Sequence, residues 1–171
     1  MPKINWGIIG PGSIANAFSH SIKATKNSKL ISVFGRNADK TDSFASKFNI
    51  DAYHQLNDFI SSKEIDAVYI ATPHSEHFIY ALEAIKNGKH VLCEKPITMN
   101  AYESMILLDL ANSKNIFLME AFMYRAHPQT KNILDNLDYL SDVNEKVLIE
   151  ASFGFNADVS ETHRLRNLNL G

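Results

Sequence analysis

Residues 4–15 read INWGIIGPGSIA, an apolar run that ends in a glycine-rich turn. The turn has the G-x-G-x-x-A spacing that connects the first strand and helix of dinucleotide-binding folds. Gly10 permits the tight turn, Gly12 lets the backbone approach a pyrophosphate, and Ala15 keeps the following helix close to the sheet. Because an apolar run precedes this turn and helical spacing follows it, the stretch favours a cofactor-binding turn over a plain structural one.

The same alternation continues along the chain. Further apolar runs occupy residues 30–34, 65–71, 90–93 and 116–119, and segments with helical spacing separate them. Alternating strands and helices of this size predict an α/β fold, a Rossmann-like doubly wound parallel sheet. The domain prediction is an NAD(P)-binding domain over residues 1–122 and the start of a second domain over residues 123–171.

The pattern changes at residues 147–155, where apolar and other residues alternate. Period-two alternation predicts a strand with one buried face, typical of an antiparallel sheet. We interpret it as the first strand of an incomplete α/β C-terminal domain. Its uncovered apolar face would favour association and allows a homo-oligomer through this strand.

Composition narrows the class of partner. The chain has 171 residues, 45% of them hydrophobic, and a formal net charge of -2. Such a balance does not favour binding to nucleic acid or to anionic membranes. The single cysteine and the lack of a signal-like or membrane-spanning segment predict a cytoplasmic protein.

The end of the second apolar run indicates which cofactor binds. NAD-type domains place an acidic residue about 20 residues after the glycine turn, whereas this chain has Arg36 there. A guanidinium matches a 2′-phosphate in charge and geometry, so NADP(H) is favoured over NAD(H). The alternative is that Arg36 is a solvated loop residue.

A second turn, ATPHSEH at residues 71–77, follows a strand and opens a helix. We interpret it as a wall of the cofactor pocket. Its two histidines have no accompanying cluster of metal ligands, so no metal site is predicted. His77 either forms a local hydrogen bond in the first helical turn or takes part in the chemistry.

The stretch GKHVLCEKP at residues 88–96 places Lys95 directly after a predicted strand. Ligands of open α/β sheets lie beyond the carboxyl ends of such strands. Burial beside a cofactor ring would lower the pKa of Lys95 toward the range useful for proton transfer. If it stays charged, Lys95 can still polarise a substrate oxygen. Glu94 could orient it. The alternative is an exposed lysine that pairs with a carboxylate.

Three motifs, at residues 7–15, 71–77 and 88–96, together resemble the Gfo/Idh/MocA oxidoreductase family. The stretch MEAFMYRAHP at residues 119–128 is similar to the branch that contains dihydrodiol dehydrogenase and NADP-dependent D-xylose dehydrogenase. The resemblance implies an N-terminal Rossmann domain that binds NAD(P). It also implies an α/β domain whose open antiparallel sheet holds substrate and often pairs subunits.

The resemblance assigns expected roles to individual residues. Lys95 corresponds to the catalytic lysine of the family, and the peptide bond before Pro96 is expected to be cis. The expected cofactor contacts are Gly10, Gly12, Ser13 and Ile14 at the pyrophosphate, Arg36 at the adenosine ribose, Thr72, Pro73 and His77 beside the dinucleotide, and Glu94 and Arg125 nearer the nicotinamide.

Family members continue into a glycine-rich turn with an aspartate and then a tyrosine or histidine, whereas this sequence stops at Gly171. The chain is therefore expected to be a truncated form. Three functions are consistent with the sequence. The first is an NADP-dependent oxidoreductase that acts on a sugar or diol hydroxyl or the matching carbonyl. The others are a dinucleotide-binding module without turnover and an interaction subunit that pairs through residues 147–155.

Overall fold

The computed structural model describes residues 3–136 and the single positions 150, 152 and 154. The chain divides into two compact units, with the break between Ala121 and Phe122, and each is described by itself. The predicted strand at 147–155, apart from those single positions, and the segment that ends at Gly171 lie outside the described residues. The domain boundary at 122/123 and pairing through that strand therefore stay predictions.

The first unit contains one sheet, and all of its described strands are parallel, in the order β3-β2-β1-β4-β5-β6. The strands are β1 (Ile4–Ile9), β2 (Ser28–Phe34), β3 (Asp51–Tyr53), β4 (Ala67–Ile70), β5 (His90–Cys93) and β6 (Leu118–Glu120). The order reverses between β1 and β4, where the register pairs Ile9 with Ile70. This confirms the Rossmann-like doubly wound sheet.

Helices connect successive strands, as parallel pairing requires. In the first unit they are α1 (Ser13–Lys23), α2 (Ala38–Phe48), α3 (Leu56–Ser61), α4 (His77–Lys86) and α5 (Ala101–Ser113), and a 3-10 helix over His74–Glu76 directly precedes α4. In the second unit the described helices are a 3-10 helix over Met123–Ala126 and α6 (Pro128–Asp135). None of the helices in the described parts of the chain is long and apolar enough to span a membrane.

Two hydrophobic cores pack against the opposite faces of the sheet. Ile8 belongs to the core that contains Phe44, whereas its neighbour Ile9 belongs to the core that contains Leu107. Successive strand residues point to opposite faces, so a strand covered on both sides needs apolar residues at every position. This explains why the central strands appear in the sequence as continuous apolar runs. Each fully buried aliphatic side chain contributes about 1.5–3 kcal/mol relative to exposure.

The sequence patterns did not predict β3 and α3. β3 has three residues, DAY, and α3 has six. Neither is long enough to show a period, and β3 lies at the edge of the sheet, where burial is partial. Both therefore depend on packing against β2 rather than on a local pattern.

Two asparagines begin helices of the first unit. The Asn37 side chain accepts a hydrogen bond from the Lys40 N–H at 2.9 Å, and the Asn100 side chain accepts one from the Glu103 N–H at 2.9 Å. Because Asn37 follows Arg36 directly, the first of these caps fixes where the chain leaves the end of β2 and enters α2.

Candidate functional site

The carboxyl ends of β1, β2 and β4 surround one cavity of about 310 Å³. It lies at the point where the strand order reverses, which is where open α/β sheets bind ligands. Its lining consists of residues 9–12, 34–37 and 71–73 together with Lys40, Glu76 and Tyr80. The turns that follow three parallel strands therefore form its walls.

The glycine turn is crowded at Gly10 and open at Gly12. Gly10 has a φ of +97°, and a Cβ there would lie 2.9 Å from the carbonyl oxygen of Ala71. A Cβ on Gly12 would meet just one heavy atom within 4 Å, that same oxygen at 3.9 Å. Gly12 is also the N-cap of α1, whose first-turn N–H groups have no partner within the helix. Open space beside a helix N-terminus fits a pyrophosphate.

Another lining residue, Arg36, forms an ion pair with Glu76. The Nη2 atom lies 2.5 Å from Oε1, and the side chains are 69% and 21% exposed, respectively. Burial, and after it the Glu76 carboxylate, raises the pKa of the neighbouring Tyr80. Sequence patterns did not identify Lys40 or Glu76 as lining residues. The spacing of Lys40, four residues after Arg36 at a helix start, is a signal that could have identified it, whereas nothing local links Glu76 to Arg36.

Two polar atoms of lining residues are buried without a hydrogen-bond partner among the described residues. They are Thr72 Oγ1 and Glu76 Oε2. Buried polar atoms are normally satisfied, so unpartnered ones beside a cavity fit a site that binds a polar ligand. The donors, acceptors and open backbone at this cavity therefore fit a dinucleotide.

His77 is fully buried and contacts two segments of backbone. Its Nδ1 lies 2.7 Å from the carbonyl oxygen of Pro96, and its Nε2 lies 3.0 Å from that of Thr72. A neutral imidazole can donate to one of these carbonyls, whereas an imidazolium donates to both. The ring thus connects the turn after β4 with the loop after β5, rather than bonding within its own helical turn as one alternative expected.

Lys95 follows β5, and its side chain is exposed. Its backbone N–H donates to Glu94 Oε2 at 3.3 Å. The other carboxylate oxygen of Glu94 accepts a 2.5 Å hydrogen bond from the hydroxyl of buried Tyr69. Burial, and then this carboxylate, raises the pKa of Tyr69. Glu94 is therefore fixed by Tyr69 and by the backbone of Lys95, and sequence reasoning missed Tyr69.

The loop after Lys95 is also held in place. The peptide bond between Lys95 and Pro96 is cis, as the resemblance implied. The next residue, Ile97, donates its N–H to Glu120 Oε1 at 2.9 Å. Sequence patterns did not identify this role of Glu120, at the end of β6.

The predicted site residues thus divide into groups. Gly10, Gly12, Arg36, Thr72 and Pro73 line the cavity. Ser13 and Ile14 begin α1, and Ile14 is 38% exposed. Glu94 and Lys95 follow β5 and do not line that cavity. Arg125 lies in the 3-10 helix of the second unit. In the described ranges, no three His, Cys, Asp or Glu side chains group as a metal site would.

Most of the chain matches a known protein family. The sequence profile of the Gfo/Idh/MocA oxidoreductases, described as a family with an NAD-binding Rossmann fold, matches residues 4–122. This range covers more than half of the chain. The chain belongs to the Gfo/Idh/MocA family.

Several relatives within the Gfo/Idh/MocA family are dehydrogenases. The chain is 32% identical to mouse trans-1,2-dihydrobenzene-1,2-diol dehydrogenase, over 97% of this chain and 50% of that protein. It is 33% identical to scyllo-inositol 2-dehydrogenase (NADP(+)) of Bacillus subtilis, over 82% and 43%. The chain spans about half the length of the curated relatives it matches.

A solved structure is similar as well. The 3-ketoreductase KijD10 from Actinomadura kijaniata, in complex with NADP, superposes with a TM-score of 0.75. The two chains are 29% identical, and the match covers 80% of this chain and 44% of that one.

Proposed function

We propose that the protein is an NADP-dependent oxidoreductase that transfers a hydride between the nicotinamide and a carbon of a sugar or diol. The substrate group is a hydroxyl or the matching carbonyl. The observation that carries the proposal is the cavity at the strand-order reversal, in whose lining Gly12 leaves open space and Arg36 supplies a positive charge. The names of the relatives support the substrate class, since they include diol and inositol dehydrogenases.

The residues of the cavity bind the cofactor in two halves. The N–H groups at the start of α1, from Ser13 and Ile14, hold the pyrophosphate beside Gly10 and Gly12. Arg36 holds the 2′-phosphate of the adenosine ribose, and Lys40 adds a second positive charge on the same side. Thr72 and Pro73 flank the dinucleotide. When bound, NADP(H) supplies the hydride acceptor or donor.

Lys95 acts on the substrate. In reduction, its ammonium would donate a hydrogen bond and then a proton to the substrate oxygen as the carbon receives the hydride. In oxidation, the neutral amine would accept the hydroxyl proton as the hydride leaves. Glu94, which accepts hydrogen bonds from the Tyr69 hydroxyl and from the backbone N–H of Lys95, would keep that backbone in place. His77 holds the Pro96 carbonyl and the Thr72 carbonyl together, which fixes the lysine loop relative to the cofactor turn.

Titration of the chain with NADPH and NADH tests the cofactor assignment. We expect NADPH to bind more tightly, and Arg36→Ala to weaken NADPH binding roughly tenfold with little effect on NADH, because a phosphate loses a charged partner. Lys63→Ala removes an exposed positive charge that does not line the cavity, and it should change neither affinity. Tighter binding of NADH than of NADPH by the wild type would overturn the assignment.

Turnover with NADP and a panel of aldoses and trans-dihydrodiols tests the reaction. Lys95→Met should abolish turnover while NADPH affinity is retained. The alternative function is a dinucleotide-binding module without turnover. Tight NADPH binding without turnover on the whole panel would support the module and count against the enzyme.

A further inference from the structure

Glu76 belongs to the ATPHSEH motif at residues 71–77, but the resemblance assigned it no role. It ends the 3-10 helix after β4, while Arg36 follows β2, yet the two side chains meet at 2.5 Å. Both residues line the cavity. The acidic residue that NAD-type domains carry near position 36 is absent from the sequence there. The fold nevertheless brings a carboxylate to the guanidinium from another turn.

The pair is asymmetric in its exposure. The Glu76 side chain is 21% exposed and that of Arg36 is 69% exposed. The carboxylate is therefore the more enclosed partner, and the guanidinium is the more solvated one. The second oxygen, Oε2, is buried and has no partner among the residues that the structure describes. A desolvated carboxylate oxygen without a donor is costly, so it favours an incoming O–H or N–H group.

The two cofactors differ at the position that Arg36 is proposed to contact. The ribose of NAD(H) carries a 2′-hydroxyl, which can donate a hydrogen bond to a carboxylate. The ribose of NADP(H) carries a 2′-phosphate, which accepts hydrogen bonds and is repelled by a carboxylate. Glu76 also holds the Arg36 guanidinium, which the phosphate would have to share.

We propose that Glu76 is a specificity-determining residue that reduces the preference of this cavity for NADP(H) over NAD(H). It does so by holding Arg36 and by offering its buried oxygen to a ribose hydroxyl. Lys40, the other cation of the lining, keeps NADP(H) binding favourable. The inference rests on the proposed function, since it places the adenosine half of the cofactor in this cavity.

The test compares the dissociation constants of NADPH and NADH for the whole chain and for Glu76→Gln. The amide keeps the shape of the side chain and removes its charge. We expect the ratio of the NADH to the NADPH dissociation constant to rise roughly tenfold, because the phosphate gains the full guanidinium and loses a nearby negative charge. Glu83→Gln is the matched control. Glu83 lies on α4, pairs with Lys86 and does not line the cavity, so its substitution should leave the ratio unchanged.

An Arg36→Ala background shows how Glu76 acts. There, Glu76→Gln should change the ratio of the NADH to the NADPH dissociation constant by less than in the wild type, because no guanidinium is left for Glu76 to hold. An equal shift in both backgrounds would overturn the part of the inference that concerns holding Arg36. A ratio that stays constant or falls in the single variant, with thermal unfolding unchanged, would overturn the inference as a whole.

Failure of the proposed function has a different signature. If the wild type binds neither dinucleotide, 2′,5′-ADP and 5′-AMP are titrated as probes of the adenosine half alone. A rise in the preference for 2′,5′-ADP with Glu76→Gln would support the inference even where the oxidoreductase proposal fails. Binding of none of the four compounds would overturn both. Normal dinucleotide binding with an unmoved ratio would overturn the inference alone.

Discussion

At the scale of the residue, Gly10 combines two constraints. Its φ of +97° disfavours any side chain, and a Cβ would lie 2.9 Å from a backbone oxygen of Ala71. We expect Gly10→Ala to lower the free energy of unfolding by about 2–4 kcal/mol, from the left-handed conformation and from the displaced backbone together. Urea unfolding followed by circular dichroism measures the change.

Gly88 provides the control for Gly10. It has a φ of +75° but no heavy atom within 4 Å of a built Cβ. Gly88→Ala should therefore cost only the conformational part, about 1 kcal/mol. If Gly10→Ala lowers the free energy of unfolding no more than Gly88→Ala does, then the close approach to Ala71 does not contribute to the cost.

Cys93 links the stability of the chain to alkaline pH. Burial, and then the Glu94 and Glu120 carboxylates, raises the pKa of its thiol. An unfolded thiol ionises near pH 8.5, so above that pH the unfolded state loses a proton that the folded state keeps. The stability that Cys93 contributes is therefore present below about pH 8.5 and is lost above it, by up to about 1.4 kcal/mol per pH unit.

Urea unfolding between pH 7 and pH 10, with a reductant present, measures this effect. Since Cys93 is the single cysteine, Cys93→Ala removes the whole thiol contribution. The variant is less stable at pH 7 because of the cavity, but its stability should fall less steeply above pH 8.5. Identical slopes for the two proteins would contradict the prediction.

At the scale of the element, two asparagines cap helices, and one of them, Asn37, also lines the cavity. Asn37→Ala and Asn100→Ala each remove a hydrogen bond to a helix N–H and should each cost about 0.5–2 kcal/mol. Asn37 lines the cavity, whereas Asn100 does not. We therefore expect NADPH affinity to fall for Asn37→Ala and to stay constant for Asn100→Ala. Titrations of both variants test this, and equal losses of affinity would contradict it.

His77 joins two elements, the turn after β4 and the loop after β5. His77→Ala removes a buried ring that lies between two backbone carbonyls and donates to at least one of them, so the free energy of unfolding should fall by about 1–3 kcal/mol. His54→Ala, which removes an exposed ring that pairs with Asp42, should change it by less than about 0.5 kcal/mol. Urea unfolding compares the two variants, and similar small losses would indicate that His77 does not hold these segments.

The elements that the sequence predicted are those with a pattern of their own. β1, β2, β4 and β5 appear as apolar runs because both faces of the sheet are covered. β3 and α3 have no such pattern, since three and six residues are too few to show a period. Their positions depend on contacts with elements distant in the sequence.

At the scale of the whole molecule, the alternating segment at residues 147–155 predicts association, and it lies outside the described residues apart from three single positions. We expect the chain to form a dimer or a larger species through the apolar face of this segment. Ile149→Lys, on that face, should shift the population toward monomer, whereas Leu148→Lys, on the other face, should not. Light scattering coupled to size exclusion measures the mass, and a monomeric wild type would contradict the prediction.

The amino-acid sequence was enough to predict the parallel Rossmann-like sheet, the glycine turn and the position of Lys95 after β5. These features follow from local periodicity and from backbone requirements at single residues such as Gly10. The tertiary structure alone decided which side chains from separate turns meet. The ion pair of Arg36 with Glu76, the bond of Tyr69 to Glu94 and the bridging position of His77 each join residues on different elements. Such contacts depend on strand order and register, which bring distant turns to one edge of the sheet.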